Sequence, residues 1–303
     1  MKNSIDALVI LGATAGGKTA LAVAAARHFG GEIISADSRQ VYRDMDLGTG
    51  KDLAEYGNIP CHLIDIADAG SEYNLYQFQR DCYAAIATIR SRQRLPIICG
   101  GTGLYLDAVL RGYHLVEVPR NPQLRQQIST WSDEQLRRRL LEIKPRQHNR
   151  TDLDERDRLV RAYEIACGEE AAEPAEPFAW QPLVFGLRWP REVLRQRITV
   201  RLQERLEQGM IAEVEELYAG GVSWEQLEFY GLEYRFIARY LQGELSRNDM
   251  VQKLARAIGQ FAKRQETFFR RMEKQGVNIN WLDAQKDPFT QLCRIVESYR
   301  INL

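Results

Sequence analysis

The first hundred residues alternate between short apolar runs and longer stretches with helical character. The apolar runs have the length of buried strands and cover residues 7–11, 32–37, 62–66 and 95–103. The intervening residues 18–29, rich in alanine, and 76–92, which are amphipathic, are predicted helices. This alternation predicts an α/β fold with a parallel sheet flanked by helices. Ligands of such sheets gather at the carboxyl ends of the strands.

The pattern changes near residue 117, after which only helical signals follow until about Gly168, with Ser132 as a predicted helix N-cap. Residues 168–182 hold three prolines and four glutamates, which predicts a solvated linker. Residues 183–189 form another predicted strand, and 190–282 are predicted to be mostly helical. We therefore expect a catalytic core made of residues 1–117 and 183–303, interrupted by an inserted all-helical domain with its linker at 118–182.

Composition narrows the class of protein. The 303 residues carry 41 basic and 41 acidic side chains, so any surface for a polyanion has to be local. Five scattered cysteines without a C-x-x-C motif favour a reducing compartment, and we expect a cytoplasmic protein. No apolar stretch reaches the roughly 20 residues that span a bilayer, and the N-terminus does not resemble a signal peptide.

The first predicted strand leads into GATAGGKT, which satisfies the P-loop pattern G-x-x-x-x-G-K-[ST]. Backbone N–H groups of Gly12–Gly17 are expected to face phosphate oxygens, Lys18 to add a charge, and Thr19 to offer a hydroxyl to Mg²⁺. The predicted phosphate-binding residues are Gly12, Ala13, Thr14, Ala15, Gly16, Gly17, Lys18 and Thr19. By base rate this loop favours a nucleoside triphosphatase (NTPase) or a small-molecule kinase.

The acid that usually follows a second strand in such enzymes is missing, because residues 96–99 run into Gly100. Asp65 either holds a metal or is a turn residue, and the sequence does not decide between them. Asp37 follows a predicted strand and is either a base for a nucleophile or a helix-cap or turn residue. Thr102 lies between glycines and either lines a ligand channel or belongs to a tight turn.

The region 247–274 carries eight basic residues against three acidic ones. At 100° per residue, Arg256, Lys263, Arg270 and Lys274 fall on one line, with basic neighbours beside it. The opposite side is predicted to be core and holds Val251, Leu254, Ile258, Phe261, Phe268, Phe269 and Met272. A second basic cluster comprises Arg137, Arg138, Arg139, Lys144, Arg146 and Arg150. Each of these two basic clusters is either a solvated helix face or a surface that binds a phosphodiester backbone. We favour the second interpretation.

Several segments together resemble one known family, the tRNA dimethylallyltransferases, also called tRNA isopentenyl transferases. They are GATAGGKT, DSRQVYRDMDLGTGK (37–51), HLIDI (62–66), GGTGLY (100–105), RDRLVRAYEI (156–165), residues 189–217 and QFAKRQETFFR (260–270). The resemblance runs in order from about residue 7 to 282. It implies transfer of a dimethylallyl group from its pyrophosphate to the exocyclic amine of the adenine next to the tRNA anticodon, on the 3′ side.

By this resemblance, the P-loop with Lys18 and Thr19 holds the pyrophosphate, and Arg201 neutralises it as well. Asp37 matches the base for the adenine amine, and Thr102 matches a channel residue on the opposite wall. The segments that match tRNA-contacting regions contain Asp37, Ser38, Arg39, Gln40, Asp157, Arg158, Arg161, Lys263, Arg264 and Gln265. The implied partners are the tRNA anticodon stem-loop and dimethylallyl pyrophosphate, with Mg²⁺ as cofactor, and we expect a monomer.

The chain departs from the family pattern at Ala13, Gly16, 48–51, Glu233–Phe236, Ile258–Gly259 and Phe268. Three other functions stay open: a prenyltransferase for free adenine nucleotides, a P-loop small-molecule kinase, and a non-catalytic RNA-binding relative. The inserted domain and the basic helix favour the tRNA enzyme over the first two. Lys18, Thr19, Asp37, Thr102 and Arg201 together speak against a non-catalytic protein.

Overall fold

A computed structural model describes residues 4–145, 154–171 and 178–302. The chain divides into two compact units, residues 1–111 together with 178–303, and residues 112–177. The strands of the described residues are β1 (Ser4–Ile5), β2 (Ala7–Gly12), β3 (Gly31–Ser35), β4 (Cys61–His62), β5 (Leu95–Gly100), β6 (Pro182–Arg188), β7 (Ile279–Asp283) and β8 (Arg300–Ile301). All of them belong to the first, larger unit.

Helices supply most of the remaining described residues. In the larger unit they are α1 (Lys18–Phe29), α2 (Leu53–Tyr56), α3 (Leu75–Ser91), α4 (Gly103–Leu110), α8 (Arg191–Glu207), α9 (Met210–Ala219), α10 (Trp224–Phe229), α11 (Leu232–Leu241), α12 (Arg247–Lys274) and α13 (Pro288–Val296). The smaller unit contains α5 (Pro122–Ile128), α6 (Asp133–Ile143) and α7 (Arg156–Ala171). No helix of the described residues combines the length and the apolar character needed to cross a bilayer.

The main sheet has the order β4-β3-β5-β2-β6-β7 over the described residues, and every neighbouring pair is parallel. Strand β2 is buried at every position because helices cover both of its faces. Its alternating side chains divide between two layers: Leu8 and Ile10 pack with α1 and α13, whereas Val9 and Leu11 pack with α3, α4 and the end of α12. The predicted fold class, a parallel sheet flanked by helices, is confirmed.

The order of the strands brings three loops to one edge of the sheet. β2 is followed by the P-loop, β3 by Asp37, and β5 by the GGTG turn, and these strands are neighbours in the sheet. Because parallel strands end at the same edge, loops far apart in sequence meet there. A third core cluster, built from α8 to α12 and the segment after Asp37, closes over this edge.

Three predicted elements differ from the structure. The strand expected at 62–66 is limited to Cys61–His62, because Leu63 and Asp65 have left-handed backbone angles, with φ of 62° and 54°. The region 190–282, expected to be mostly helical, ends in strand β7, which pairs with β6. Phe261 was assigned to the core side of its helix but is 39% exposed, since that face of α12 opens toward a cavity.

The smaller unit has a compact helical core. Ser132 caps α6 as predicted, since its hydroxyl accepts from the Gln135 N–H at 3.2 Å and Gln135 returns a bond to the Ser132 N–H. Leu136, Leu140 and Leu159 are fully buried where α6 meets α7. Arg146 and Arg150 of the second basic cluster lie outside the described residues.

The predicted linker at 168–182 is only partly described, since 172–177 lie outside the described residues. At its start, Gly168–Ala171 belong to α7, so the solvated segment begins later than expected. At its end, Phe178 stacks on Tyr83 with ring centroids 4.2 Å apart. Phe178 and Trp180 are therefore partly buried and Phe178 packs on α3, whereas the prolines and glutamates of this segment had suggested a fully solvated linker.

Candidate active site

The P-loop is held in place from outside by side chains of the larger unit. Trp189 donates from its indole N–H to the Gly16 carbonyl at 2.9 Å, and Arg197 donates to the Ala15 carbonyl at 2.9 Å. Inside the loop, the Gly16 N–H bonds the Ala13 carbonyl at 3.1 Å. The N–H groups of Gly16 and Thr14 are thus bonded within the protein, and phosphate binding by the N–H groups of Gly12–Gly17 stays a prediction.

The Thr14 N–H donates to the side-chain carbonyl of Gln265 at 2.9 Å. The amide nitrogen of Gln265 in turn donates to the Gly101 carbonyl at 2.9 Å, and the side chain is buried. Gln265, expected to contact tRNA, thus ties the P-loop to the GGTG turn. We assign it a positioning role, which its place in a basic helix did not reveal.

Lys18 lies across the P-loop, where its ammonium group donates to the Ala13 carbonyl at 2.9 Å. Burial lowers the pKa of Lys18 from its usual value, and Arg201 acts in the same direction, while Cys99 and Asp37 oppose the shift. Desolvation makes the charged form of Lys18 less stable than in water. An anion that replaces the Ala13 carbonyl as its partner would therefore stabilise the ammonium group. Burial raises the pKa of the neighbouring Cys99 thiol to about 12, so this thiol stays protonated at neutral pH.

The loops after β3 and β5 are joined to each other. The Ser38 N–H donates to the Thr102 hydroxyl at 3.0 Å, and the Thr102 N–H donates to the Ala36 carbonyl at 3.2 Å. Asp37 accepts the Arg39 N–H at 2.9 Å. Only glycine fits at position 100, since a Cβ there would lie 2.2 Å from the Ala36 carbonyl oxygen. These bonds place Asp37 and Thr102 on the same cavity.

We call this space the first cavity. Its volume is about 320 Å³, and Lys18, Asp37, Thr102 and Arg201 all contribute to its wall. Gln40, another residue expected to contact tRNA, lies at its edge but is largely buried, with its amide bonded to Ser35 at 2.8 Å and to the Gly50 carbonyl at 3.0 Å. We assign Gln40 a positioning role in this loop, as for Gln265.

A second cavity of about 530 Å³ lies against the P-loop and shares Lys18, Thr19, Arg201 and Arg205 with the first. Its distinctive feature is a cluster of two arginines on one aspartate. Arg201 pairs with Asp52, and Arg205 reaches both oxygens of Asp52 at 3.3 Å. Neither Asp52 nor Arg205 belongs to a motif that predicts a functional role. The spacing of Arg201 and Arg205, one helical turn apart, was the available signal.

Asp65, whose role was open, pairs with the fully buried Lys51 in the larger unit. Lys51 also donates to the Tyr42 carbonyl at 2.7 Å and to Asp46 at 2.6 Å. Asp65 itself has φ of 54°. The turn interpretation is therefore correct, and Asp65 serves to satisfy a buried ammonium group.

Comparison with known proteins identifies the family. The family model described as IPP transferase matches residues 40–272, and the model described as isopentenyl transferase matches residues 5–56. The chain is 60% identical to tRNA dimethylallyltransferase 1 of Geotalea uraniireducens, with 97% of each chain covered. It is also 60% identical to tRNA dimethylallyltransferase 2 of Syntrophotalea carbinolica, with 96% of this chain and 98% of the relative covered. The chain belongs to the IPP transferase family.

Solved structures of the same kind share the fold. A tRNA isopentenylpyrophosphate transferase from Bacillus halodurans has a TM-score of 0.70 at 30% identity and covers 98% of this chain and 97% of its own. A eukaryotic dimethylallyltransferase acting on tRNA has a TM-score of 0.79 at 25% identity, covering 97% of this chain and 78% of its own. The resemblance seen in the sequence is confirmed, and the chain is a prenyltransferase of the IPP transferase family.

The departures from the IPP transferase pattern fall in different surroundings. Glu233 and Ile258 line the first cavity, and burial raises the pKa of Glu233 while the neighbouring Arg205 and Arg201 oppose this shift. Phe268 packs so closely on the start of α4 that a Cβ at Gly103 would lie 2.5 Å from its ring. Two further departures lie elsewhere: Phe236 packs in the core of α8 to α12, and Gly259 faces open space.

The residues expected to contact RNA lie in both units of this IPP transferase. On α12 of the larger unit, Arg256, Lys263, Arg264, Arg270 and Lys274 are exposed along one face. In the smaller unit, Asp157, Arg158 and Arg161 lie on α7. Two of the residues on α7 already have protein partners. Arg161 donates to the Val118 carbonyl at 2.7 Å and to Glu164 at 3.3 Å, and Arg158 pairs with Glu155 at 3.2 Å.

Proposed function

We propose that this enzyme transfers a dimethylallyl group from dimethylallyl pyrophosphate to the exocyclic amine of the adenine that follows the tRNA anticodon on its 3′ side. One observation carries the proposal. Lys18, Asp37, Thr102 and Arg201 come from four separate segments and line one cavity. Two cations and one carboxylate on a small cavity suit a reaction in which an anion leaves and an amine loses a proton.

The cations act on the leaving group. In the reaction a bond forms between the adenine nitrogen and the allylic carbon, and the bond from that carbon to the pyrophosphate oxygen breaks. Negative charge collects on the pyrophosphate, and Lys18 and Arg201 stand where the P-loop would hold it. Because an allylic carbon tolerates positive character, stabilising the departing oxygen lowers the barrier more than strengthening the nucleophile does.

Asp37 and Thr102 act on the amine. An aromatic amine is a weak nucleophile, and it becomes positively charged as it attacks. A carboxylate hydrogen-bonded to it relieves that charge, and we assign to Asp37 the proton that the amine releases. Thr102 lies on the neighbouring loop, bonded to the Ser38 N–H at 3.0 Å, and fixes the amine from its other side. Pyrophosphate and the prenylated adenine are the products.

The residues present also fit a magnesium ion. Thr19 lines both cavities, and the carboxylates of Asp52 and Glu55 line the second. Hydroxyl and carboxylate oxygens are hard ligands, and Mg²⁺ in phosphate sites commonly keeps waters and only one or two protein ligands. Thr19 is the residue we assign to it. Bound there with pyrophosphate, Mg²⁺ would supply further neutralisation of the leaving group.

We further propose that the RNA substrate is the anticodon stem-loop. The inserted helical unit, with Asp157, Arg158 and Arg161, and the basic face of α12 supply the polar and positive side chains that such a substrate requires. The target base has to leave its stack to reach a cavity of this size, and a single-stranded loop lowers the cost of that step. A monomeric enzyme in the cytoplasm is our expectation for its assembly and compartment.

Labelled substrates test the proposal. The enzyme is incubated with labelled dimethylallyl pyrophosphate and, separately, with γ-labelled ATP, each with unmodified tRNA or with AMP. We expect label only from the prenyl donor and only in tRNA, and digestion followed by mass spectrometry should place it on the adenine after the anticodon. Label in AMP alone would favour a free-nucleotide prenyltransferase, and label from ATP a kinase. No label from the prenyl donor in either acceptor would refute prenyl transfer.

A further inference from the structure

Two phenylalanines at the first cavity are exposed to solvent. Phe229, the last residue of α10, is 61% exposed, and Phe261 on α12 is 39% exposed. Both line the cavity that holds Asp37 and Thr102. Among the phenylalanines, tyrosines and tryptophans of the described residues, Tyr218 is the other exposed one, and its ring stacks on Trp224 at 3.8 Å. Exposed aromatic rings therefore concentrate at this cavity.

Each of these rings is accompanied by an arginine. The guanidinium carbon of Arg39 lies 5.0 Å from the centre of the Phe229 ring, and that of Arg264 lies 5.8 Å from the centre of the Phe261 ring. Such pairs offer an aromatic face for a base and a positive charge for its phosphate. Proteins that bind single-stranded nucleic acids combine these two elements.

The backbone beneath Phe229 is fixed even though its ring is exposed. The preceding residue, Glu228, accepts two bonds from Arg235 at its carbonyl, at 3.2 and 3.0 Å. Its carboxylate accepts two more from Arg239, at 2.9 and 3.0 Å. Because these bonds already hold the backbone at Phe229, little backbone freedom is lost when a ligand covers the ring.

Phe261 is placed by the long helix that also holds the P-loop. Its neighbours Ile258, Ala262 and Gln265 are buried, and Gln265 bonds Thr14 and Gly101. The same helix therefore fixes the position of the Phe261 ring relative to the reaction cavity. Six basic residues line the cavity (Lys18, Arg39, Arg201, Arg205, Arg235 and Arg264) against two acidic ones, Asp37 and Glu233. This balance favours a polyanion at the mouth over an apolar protein partner.

We infer that Phe229 and Phe261 form a stacking site for the bases on either side of the target adenine. The inference rests on the proposed function, because a base that leaves its stack exposes the faces of its neighbours. The two rings cover these faces and so replace the stacking that the loop loses. Arg39 and Arg264 bind the flanking phosphates. The site thus lowers the cost of turning the adenine into the cavity, separately from the chemistry at Asp37.

The test uses an anticodon stem-loop RNA with 2-aminopurine next to the target adenine. Phe229→Leu and Phe261→Leu keep an apolar side chain but remove the ring. We expect each to weaken binding of the stem-loop about tenfold, in line with the stacking energy of a single base, and to reduce the quenching of 2-aminopurine on binding. Phe229→Trp and Phe261→Trp keep an aromatic ring and should bind the stem-loop and quench 2-aminopurine as the wild type does. The affinity for dimethylallyl pyrophosphate should not change. Tyr218→Leu, exposed but away from the cavity, is the matched control.

The outcomes separate this inference from the proposed function. Wild-type protein that neither binds nor prenylates the stem-loop refutes the function, and the stacking site with it. If the wild type prenylates the stem-loop but the leucine variants bind and quench as it does, the stacking site is wrong while the function stands. If the tryptophan variants lose as much affinity and quenching as the leucine variants, the inference is also wrong, since a stacking site accepts a larger aromatic ring.

Discussion

The two cavities beside the P-loop share one wall and differ in the residues that form the rest of their lining. Lys18, Thr19, Arg201 and Arg205 belong to both. The first cavity adds Asp37, Thr102 and the two exposed phenylalanines, whereas the second adds Asp52, Glu55 and Arg197 with the aliphatic side chains of α8. The first has six basic residues against two acidic ones, and the second has four against three, with Glu204 as its third acid.

We infer from this difference that the two cavities receive different substrates. Lys18, Arg201 and Arg205 belong to the shared wall. They would therefore stabilise negative charge on a pyrophosphate whether the prenyl donor enters through the first or the second cavity. The nearly balanced second cavity suits a ligand that brings its own metal ion, and the basic, aromatic first cavity suits RNA. The P-loop of this enzyme would thus hold a leaving group between two substrates and would not hold a phosphoryl donor.

Removing the shared charge should have the largest effect. In Lys18→Met we expect kcat/KM for the prenyl donor to fall by about a thousandfold, because a buried cation on a developing oxyanion contributes that much. Binding of the stem-loop RNA should stay within about twofold, since the base-facing side chains are intact. Steady-state kinetics and RNA titration measure the two. An equal loss in RNA affinity would show that the cavities do not divide the substrates.

Asp37→Asn is expected to affect the first cavity alone. The amide oxygen can still accept the Arg39 N–H, so the loop keeps its shape, but the proton acceptor is lost. We expect kcat to fall by about a hundredfold or more, with the affinity for dimethylallyl pyrophosphate unchanged. Single-turnover rates and donor titration test this. Asp68→Asn, which alters an exposed carboxylate outside both cavities, should retain full activity. A normal rate in Asp37→Asn would remove this residue from the mechanism.

Asp52→Asn is the corresponding change in the second cavity. Asp52 holds Arg201 and Arg205 together, and its loss should leave both guanidinium groups less well placed for pyrophosphate. We expect the KM for the donor to rise about tenfold and kcat to change little, because ground-state and transition-state binding weaken alike. Glu192→Gln, which loses an exposed partner of Arg195 on α8, is the matched control. An unchanged KM would mean that Arg201 is positioned by its helix alone.

The sequence allowed the sheet and the reaction centre to be predicted because both depend on local patterns. Strands β2 and β5 are continuous apolar runs, β3 and β6 are apolar over most of their length, and parallel strands bring the loops that follow them to one edge of the sheet. Asp37 and Thr102 could be paired with Lys18 on that basis. Strand β7 was missed because INWLD is short, is only partly buried and follows a long helix.

Other parts of the site depend on packing between distant residues and have no local signature. Asp52 and Arg205 are 153 positions apart, so only the folded chain shows that they pair. The same holds for Gln40 and Gln265, which were expected to face RNA but bond inside the protein. Helical periodicity gave the basic face of α12 correctly. It could not show that Phe261, on the apolar side, borders a cavity and is exposed.

The smallest expected effect is a pH dependence of donor binding through the shared wall. Burial lowers the pKa of Lys18, so this lysine loses its proton at a lower pH than a free lysine does. The protonated form binds pyrophosphate, and donor affinity should therefore fall as pH rises through the lowered pKa, by less than about tenfold per pH unit. Lys18→Arg keeps a charge that does not titrate in this range and should remove the dependence. Donor titrations across alkaline pH, with RNA binding measured in parallel, check this. If the same alkaline loss persists in Lys18→Arg, it arises from another group, and the wall that the two cavities share is not where the pH acts.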